Sequence, residues 1–237
     1  MSTYALALPD GDTIHYQLER RPRRTVGMRI SPHGLIVHAP RRISQSQLEH
    51  LLRSKADWIR NKLQAQQEHA VAPIQWQDGA QLLLLGNPFR LNVKHDARSR
   101  ALEYEAGILY VAMPLPADEA VIQRKVILWY RKQALNDFAR RLELLATKLG
   151  VPTPSLYLSN ARARWGSCNS KSEVRLNWRL IQAPPHIINY VICHELAHIR
   201  EMNHSARFWA MVEQIFPDYK KAEKELKTLS ALLHAID

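Results

Sequence analysis

The sequence contains little cysteine, no long apolar run and fewer acidic than basic residues. Two cysteines, Cys168 and Cys193, occur in 237 residues, which is too few for a disulfide-stabilised scaffold and is typical of a reducing compartment. No segment approaches the roughly 20 consecutive apolar residues of a membrane span, and the first residues lack the basic and apolar regions of a secretory signal. We therefore expect a cytoplasmic protein that does not bind a membrane.

The acidic deficit leaves a formal net charge of +11, because there are 33 lysines and arginines and 22 acidic residues. Such a charge attracts polyanions, so a nucleic acid is one partner that a basic N-terminal face would suit. A solvated basic surface without any partner explains the same pattern, and charge alone does not decide between them. The arginines concentrated near the N-terminus are Arg20, Arg21, Arg23, Arg24, Arg29, Arg41 and Arg42.

The apolar pattern predicts a strand-rich N-terminal lobe over residues 1–116 that contains one helix. Residues 28–38 alternate around a Ser-Pro-His-Gly turn, which is typical of a β-hairpin. Ser44 lies where the N-cap of a single amphipathic helix would stand, and the apolar period continues through residue 63. Short apolar runs between residues 82 and 113 return to strand character.

Residues 117–237 predict a second, catalytic lobe with longer helices. Asp118 can cap a long helix that Gly150 ends. Residues 156–164 and 174–181 are strand candidates, which we expect to pair antiparallel. Together the two lobes predict an α+β fold in which the strand-rich lobe packs on the catalytic lobe.

A helix predicted over residues 187–202, after Pro184-Pro185, carries the motif His194-Glu195-Leu196-Ala197-His198. Four residues at about 100° each bring the two imidazoles onto one helix face, where they can hold one metal ion. Glu195 lies between them in angle, so its carboxylate can reach a water molecule on the metal without being a ligand. This arrangement is typical of a zinc site with a general base.

Catalytic zinc usually has three protein ligands and one open position, and His204 is the candidate for the third ligand. It follows His198 by six residues, a spacing like that of the metzincin signature, although Glu201 stands where that signature has glycine. Asn203 can make the required turn, because asparagine tolerates a left-handed backbone. Ser205 can then cap the next helix.

These residues predict hydrolysis of peptide bonds, with Glu195 removing a proton from the attacking water. The strand that ends near Trp165 would offer an edge to which an extended substrate can add. Cys168 and Cys193 match no zinc-finger spacing, so we assign them to packing. The candidates for stabilising the oxyanion or binding substrate are Tyr190, Arg164, Arg175 and Arg207.

Two alternatives remain open. One is a zinc hydrolase that acts on amides other than peptides, which the sequence does not distinguish from a peptidase. The other is a DNA-associated or scaffold module with a structural zinc. Glu195 argues against the second alternative, because a closed structural site has no use for a base beside its ligands.

Several short motifs occur together in the second half of the chain: Arg164-Trp165-Gly166-Ser167-Cys168, Asn177-Trp178, Cys193-His194-Glu195-Leu196-Ala197-His198, Asn203-His204-Ser205 and Phe208-Trp209. Through these motifs the chain resembles the YgjP-like metallopeptidase family over residues 20–232, most strongly over residues 156–216. The resemblance implies a zinc-dependent hydrolase with a zincin core, in which His194, His198 and His204 are the metal ligands and Glu195 is the base. A more distant similarity to SprT-like proteases, which act on proteins bound to DNA, is compatible with the net positive charge.

Overall fold

The computed structural model describes residues 2–31, 34–68, 71–96, 102–114 and 118–236. These residues form three sheets and six α-helices, so the expected α+β class is confirmed. None of the helices described is both long enough and apolar enough to cross a membrane.

The contacts within the chain define two compact units, residues 1–70 and 71–237. This division differs from the expected boundary at residue 116. Phe89, from the segment assigned above to the first lobe, has its ring centroid 5.6 Å from that of Trp129, and both residues belong to one hydrophobic core. An apolar pattern predicts that a strand is buried, but it does not predict the element against which the strand packs.

The first unit, among its described residues, is a four-stranded sheet with two helices. Its elements are β1 (Ser2–Ala7), β2 (Thr13–Arg21), β3 (Gly27–Ser31), β4 (Gly34–Pro40), α1 (Gln45–Ser54) and α2 (Ala56–Glu68). The strand order is β1-β2-β4-β3, in which β2 and β4 are parallel and the other pairs are antiparallel. The predicted hairpin is confirmed as β3 and β4, and its tip at residues 32 and 33 lies outside the described residues.

The prediction of a single helix after Ser44 is wrong, because α1 and α2 are separate helices on either side of Lys55. Ser44 does cap α1: its Oγ accepts a hydrogen bond from the Gln47 N–H at 3.1 Å, and the Gln47 side chain accepts one from the Ser44 N–H. Lys55 has φ −113° and ψ 11°, which interrupts the helix. Leu52 and Ile59 are buried in one core across this break, so the apolar period continues where the helix does not.

The second unit contains, among its described residues, two sheets and four α-helices. One sheet has the strand order β5-β6-β8-β7 and the other has the order β10-β11-β9. The elements are β5 (Gln81–Leu84), β6 (Asn87–His95), β7 (Leu102–Glu105), β8 (Ile108–Met113), α3 (Glu119–Leu149), β9 (Ser155–Ser159), β10 (Gly166–Cys168), β11 (Glu173–Asn177), a 3-10 helix (Trp178–Gln182), α4 (Pro185–Ala197), α5 (Ala206–Ile215) and α6 (Tyr219–His234).

The long helix α3 begins and ends where the sequence predicts. The Asp118 side chain accepts a hydrogen bond from the Ala120 N–H at 2.8 Å, and Gly150 ends the helix with φ 66°, a left-handed conformation that glycine adopts without strain. Tyr130 donates its O–H to the carbonyl oxygen of Leu83 at 2.6 Å. This hydrogen bond fastens α3 to the sheet that contains β5.

The expected antiparallel pairing of the two strand candidates is wrong. β9 and β11 pair in parallel, and the antiparallel partner of β11 is the short strand β10. The candidate over residues 156–164 ends at Ser159, and the candidate over residues 174–181 ends at Asn177, whose side chain caps the 3-10 helix. β10 has only three residues, too few to produce a periodic pattern that would predict a strand.

Candidate metal centre

Three histidines converge at the carboxyl end of α4. His194 lies in the last turn of this helix, His198 is its C-cap residue, and His204 follows where the chain turns back. One side-chain nitrogen from each histidine lies within 4.8 Å of the other two, and the Nε2 atoms of His194 and His204 are 3.0 Å apart. Three imidazole nitrogens around one point are a donor set that suits zinc, so these residues fit a metal ion.

The backbone of the turn orients His198. Its Nδ1 lies 3.1 Å from the carbonyl oxygen of Glu201. Because a carbonyl oxygen only accepts hydrogen bonds, Nδ1 carries the hydrogen and the Nε2 lone pair is available to a metal.

Burial favours the neutral, metal-binding form of His194 and His198. Burial, followed by the neighbouring His198 and His204, lowers the pKa of His194 to about 4. Burial also lowers the pKa of His198, against the opposing effect of its hydrogen bond to Glu201. Neutral rings can donate a lone pair without first losing a proton.

Phe208 packs against all three histidines, a role that sequence reasoning missed. Its ring centroid lies 4.9 Å from that of His194, 4.6 Å from that of His198 and 4.8 Å from that of His204. Ser205 positions Phe208 at the start of α5, because the Ser205 hydroxyl accepts a hydrogen bond from the Phe208 N–H at 3.3 Å. Helical spacing does not predict this contact, because His204 precedes Ser205, the N-cap of α5.

Glu195 is only 5% exposed and lies against Gly166 of β10. Burial raises the pKa of its carboxyl group to about 8, and the positive charge of Arg164 opposes that shift. Among the described residues, its Oε2 has no hydrogen-bond partner. A buried carboxylate oxygen without a partner is costly for stability, which is typical of a group retained for chemistry.

The turn between α4 and α5 differs from the prediction in two respects. The helix ends at Ala197 rather than at residue 202, because the chain must turn immediately after His198 to bring back His204. Asn203 does not have a left-handed backbone, since the non-glycine residues with positive φ in the described part of the chain are Leu85, Ala106 and Ser172. Asn203 acts through its side chain, which accepts a hydrogen bond from the Ser205 N–H at 3.0 Å.

Two of the predicted oxyanion or substrate-binding residues lie near the histidines and Glu195. The ring of Tyr190 is 6.2 Å from that of His194, and its burial raises the pKa of the phenol. Arg164 is exposed, and its charge acts on the Glu195 carboxyl group.

The other two candidates, Arg175 and Arg207, are not brought to this site. Arg175 projects from the face of β11 opposite its buried residues, pairs with Glu173 at 3.6 Å and lies over the Tyr157 ring. The Arg207 side chain is 88% exposed and contacts Glu201 at 3.9 Å. Both side chains are exposed, and the contacts found for them are with Glu173, Tyr157 and Glu201.

The C-terminal helix α6 holds the residue that precedes Gly166. Trp165 donates its indole N–H to the Ser230 hydroxyl at 3.1 Å, and its ring stacks on His234 with centroids 4.6 Å apart. No motif in the sequence connects these residues, because the contact joins positions that are 65 residues apart.

Both cysteines are free and lie outside the group of metal donors found among the described residues. Cys193 is fully buried in the core, and burial raises the pKa of its thiol to about 12. Cys168 is half-buried, and both burial and the nearby Glu195 raise the pKa of its thiol. These surroundings agree with the assignment of the cysteines to packing.

Comparison with known proteins identifies a family that matches the chain. The model of the family described as YgjP-like, metallopeptidase domain, matches residues 24–229. The match covers most of the chain and includes the histidines and Glu195.

One relative and two solved structures are similar to smaller parts of the chain. The UTP pyrophosphatase of Escherichia coli strain K12 is 26% identical over 86 residues, which are 36% of this chain and 48% of that protein. The chain thus spans about half the length of this relative. The metallopeptidase zymogen abylysin of Pyrococcus abyssi is 25% identical, with a TM-score of 0.37 over 38% of this chain and 92% of that one. The zymogen jannalysin of Methanocaldococcus jannaschii is 21% identical, with a TM-score of 0.35 over 40% of this chain and 96% of that one.

Proposed function

The chain belongs to the family of YgjP-like metallopeptidase domains, and on that premise we propose that it is a zinc-dependent peptidase. His194, His198 and His204 would hold the metal, and Glu195 would be the general base. The observation that carries the proposal is the convergence of three imidazole nitrogens within 4.8 Å of one another. Next in sequence to His194 is a buried carboxylate whose Oε2 has no hydrogen-bond partner in the described part of the chain. A structural metal site would gain nothing from such a carboxylate.

Zinc held by these residues would supply Lewis-acid chemistry, by lowering the pKa of a water molecule and polarising the carbonyl group of the substrate. Glu195 would accept the proton that the attacking water loses, and would then give it to the leaving amine. The hydrogen bond from His198 to the Glu201 carbonyl keeps the imidazole oriented during these steps. Phe208 covers one side of the three rings and so excludes water from them.

A peptide is the substrate that the neighbouring sheet supports best. In the strand order β10-β11-β9, β10 lies at an edge, and Gly166 of this strand lies against Glu195. An extended peptide that added to the free edge of β10 would run close to the general base. Amides without an extended backbone would lack these hydrogen bonds.

A second candidate function is hydrolysis of a nucleoside triphosphate, the activity that the name of the Escherichia coli relative describes. The observation that favours it is Arg164, an exposed guanidinium whose charge acts on Glu195. A permanent cation beside the base would attract a polyphosphate and balance its charge. Glu195 would then activate water for attack on phosphorus instead of carbon.

Replacing Glu195 by glutamine tests the first function and separates it from the second. The wild-type protein, Glu195→Gln and the control Glu213→Gln, an exposed residue of α5, are compared for zinc content, cleavage of a peptide library and hydrolysis of UTP. We expect Glu195→Gln to retain zinc and to lose peptide cleavage by at least about 100-fold, and Glu213→Gln to behave as wild type.

Three results would contradict the peptidase proposal. Equal peptide cleavage by the wild-type protein and Glu195→Gln would remove the base from the reaction. Hydrolysis of UTP that depends on Glu195, without peptide cleavage, would favour the second function. Stoichiometric zinc without either activity would favour a structural metal.

Nucleic-acid binding by the basic N-terminal face stays a proposal. It has less support than the peptidase proposal, because some of these arginines already bind groups within the protein. Arg20 donates to the Ile43 carbonyl at 2.7 Å, and Arg21 pairs with Glu19 at 2.6 Å. Binding of DNA at low salt that falls steeply with ionic strength would support it. Absence of binding at low salt would end it.

A further inference from the structure

We propose that a pocket between α3 and the segment after β9 is a binding site for phosphate groups. The cavity measures about 380 Å³. Arg124 and Arg131 line it from α3, and Asn160 and Trp178 line it from the opposite side. The proposal concerns ligand binding and does not depend on which bond the protein hydrolyses.

The two arginines carry positive charge that the structure does not neutralise. Both are exposed, and neither forms a hydrogen bond or an ion pair with a described residue. Further along the same helix, by contrast, Arg140 and Arg141 both bind Asp137. The described lining of the pocket contains no carboxylate. The electrostatic field inside the pocket is therefore positive and favours an anion.

The geometry of α3 directs both guanidinium groups towards the same pocket. Arg124 and Arg131 are seven residues apart, which places them on one helix face and roughly 10 Å apart along the axis. Side chains as long as arginine can close much of that separation. The Arg131 guanidinium carbon also lies 5.8 Å from the centroid of the Trp178 ring, which holds this group at the pocket wall.

Asn160 adds a third donor in a fixed orientation. Its side-chain oxygen accepts a hydrogen bond from the Trp178 indole N–H at 3.0 Å, so the amide N–H groups remain available for a ligand. Two planar guanidinium groups and an amide are donors without a competing acceptor. A phosphate group, with several acceptor oxygens and a geometry that matches the guanidinium fork, satisfies such donors better than a single carboxylate.

The pocket lies within reach of the candidate catalytic residues. Asn160 precedes Arg164 by four residues, and four residues of extended chain span at most roughly 14 Å. The intervening segment is fastened by Asn177, whose amide donates to the Ala161 carbonyl at 2.7 Å. The pocket residue Asn160 is therefore held close to Arg164, whose charge acts on Glu195.

A titration in a catalytically inactive background tests the proposal. The parent protein is the zinc-loaded Glu195→Gln variant, which is titrated with tripolyphosphate in a calorimeter. The pocket variant carries Arg124→Gln and Arg131→Gln in addition, and it is titrated in the same way. The matched control combines Arg140→Gln and Lys148→Gln, which remove the same charge from exposed positions of α3. We expect the pocket variant to bind at least about tenfold more weakly than the control, because it loses two charge-assisted contacts.

Equal affinity of the pocket variant and the control would overturn the proposal, as would absence of binding to the parent protein. Phosphate bound only at the histidines would give the first of these results. Because the background lacks Glu195, a failure of the peptidase proposal leaves this test unaffected. If the double variant does not fold, Arg124→Gln alone remains a test, since that side chain has no bonded partner among the described residues.

UTP and a single-stranded oligonucleotide, titrated in the same way, identify the source of the phosphate. Leu128, which is 59% exposed, lines the pocket beside both arginines and offers an apolar surface to a base or a sugar. The proposal is supported if the pocket variant binds either probe more weakly than the parent protein does. The probe that the parent protein binds more tightly then identifies the source of the phosphate. Binding of both probes that is unchanged in the pocket variant would overturn it.

Discussion

The carboxylate of Glu195 occupies the space in which any other residue at position 166 would have its β-carbon. A Cβ atom built on Gly166 would overlap Glu195 Oε1 and would lie 2.7 Å from both Cγ and Cδ, closer than real contacts of this kind. Gly166 does not have positive φ, so glycine is required here for space and not for backbone conformation. The base and the edge strand therefore fit together only because this residue lacks a side chain.

Gly166→Ala should reduce hydrolysis by at least about tenfold while leaving zinc bound. The three atoms nearest to the added methyl group all belong to the Glu195 side chain, so the methyl group displaces this carboxylate, and small displacements of reacting groups are costly for rate. Activity and zinc content of the purified variant check this expectation. Gly27→Ala is the control, because the three atoms nearest to its methyl group all belong to the flexible end of the Arg23 side chain. Full activity of Gly166→Ala would show that the position of the carboxylate does not matter.

His204→Ala should weaken zinc binding by at least about 100-fold, since one of three donors is lost. Competition with a chelator of known affinity measures the change. His186→Ala serves as control, because His186 is exposed and pairs with Glu225 away from the cluster. An unchanged zinc affinity in His204→Ala would mean that a different group completes the site.

The hydrogen bond between Trp165 and Ser230 should contribute about 1 kcal/mol to the free energy of unfolding. Trp165→Phe and Ser230→Ala each remove it, so the double variant should be less destabilised than the sum of the single variants. Chemical denaturation of the four proteins gives the coupling energy of this cycle. Strict additivity would show that the contact between α6 and the strand that carries Gly166 is not stabilising.

Asn177→Ala should destabilise the protein by at least about 2 kcal/mol, because the side chain is fully buried and makes several hydrogen bonds. Its amide donates to the Ala161 carbonyl, and its oxygen accepts from the Arg179 N–H at 3.1 Å. Denaturant unfolding measures the loss, with Asn136→Ala on the exposed face of α3 as control. A change no larger than that of the control would contradict this account of the segment after β9.

Helix ends and the motif on α4 were predictable because their signals are local. Asp118 and Ser205 cap helices in the structure as the sequence indicates. The spacing of His194 and His198 places both on one face of any helix, whatever surrounds it. The end of α4 at Ala197 was not predictable, because the turn back to His204 depends on contacts with α5.

Strand pairing was predicted less well, because it depends on distant segments. The three residues of β10 are too few to be recognised as a strand, and without β10 the sequence predicts an antiparallel pair of β9 and β11, which are parallel in the structure. The same limit applies to the division of the chain at residue 70 rather than 116, which follows from the packing of the strands between these positions on α3.

The sequence by itself determined the chemistry that this protein has available: two imidazoles and a carboxylate on one helix, and a third imidazole a short turn away. Only the tertiary structure decided what surrounds them, namely the glycine against Glu195 and the phenylalanine that packs on the histidines. The reason is that helix geometry repeats every few residues and needs no partner, whereas these neighbours meet only when distant segments pack.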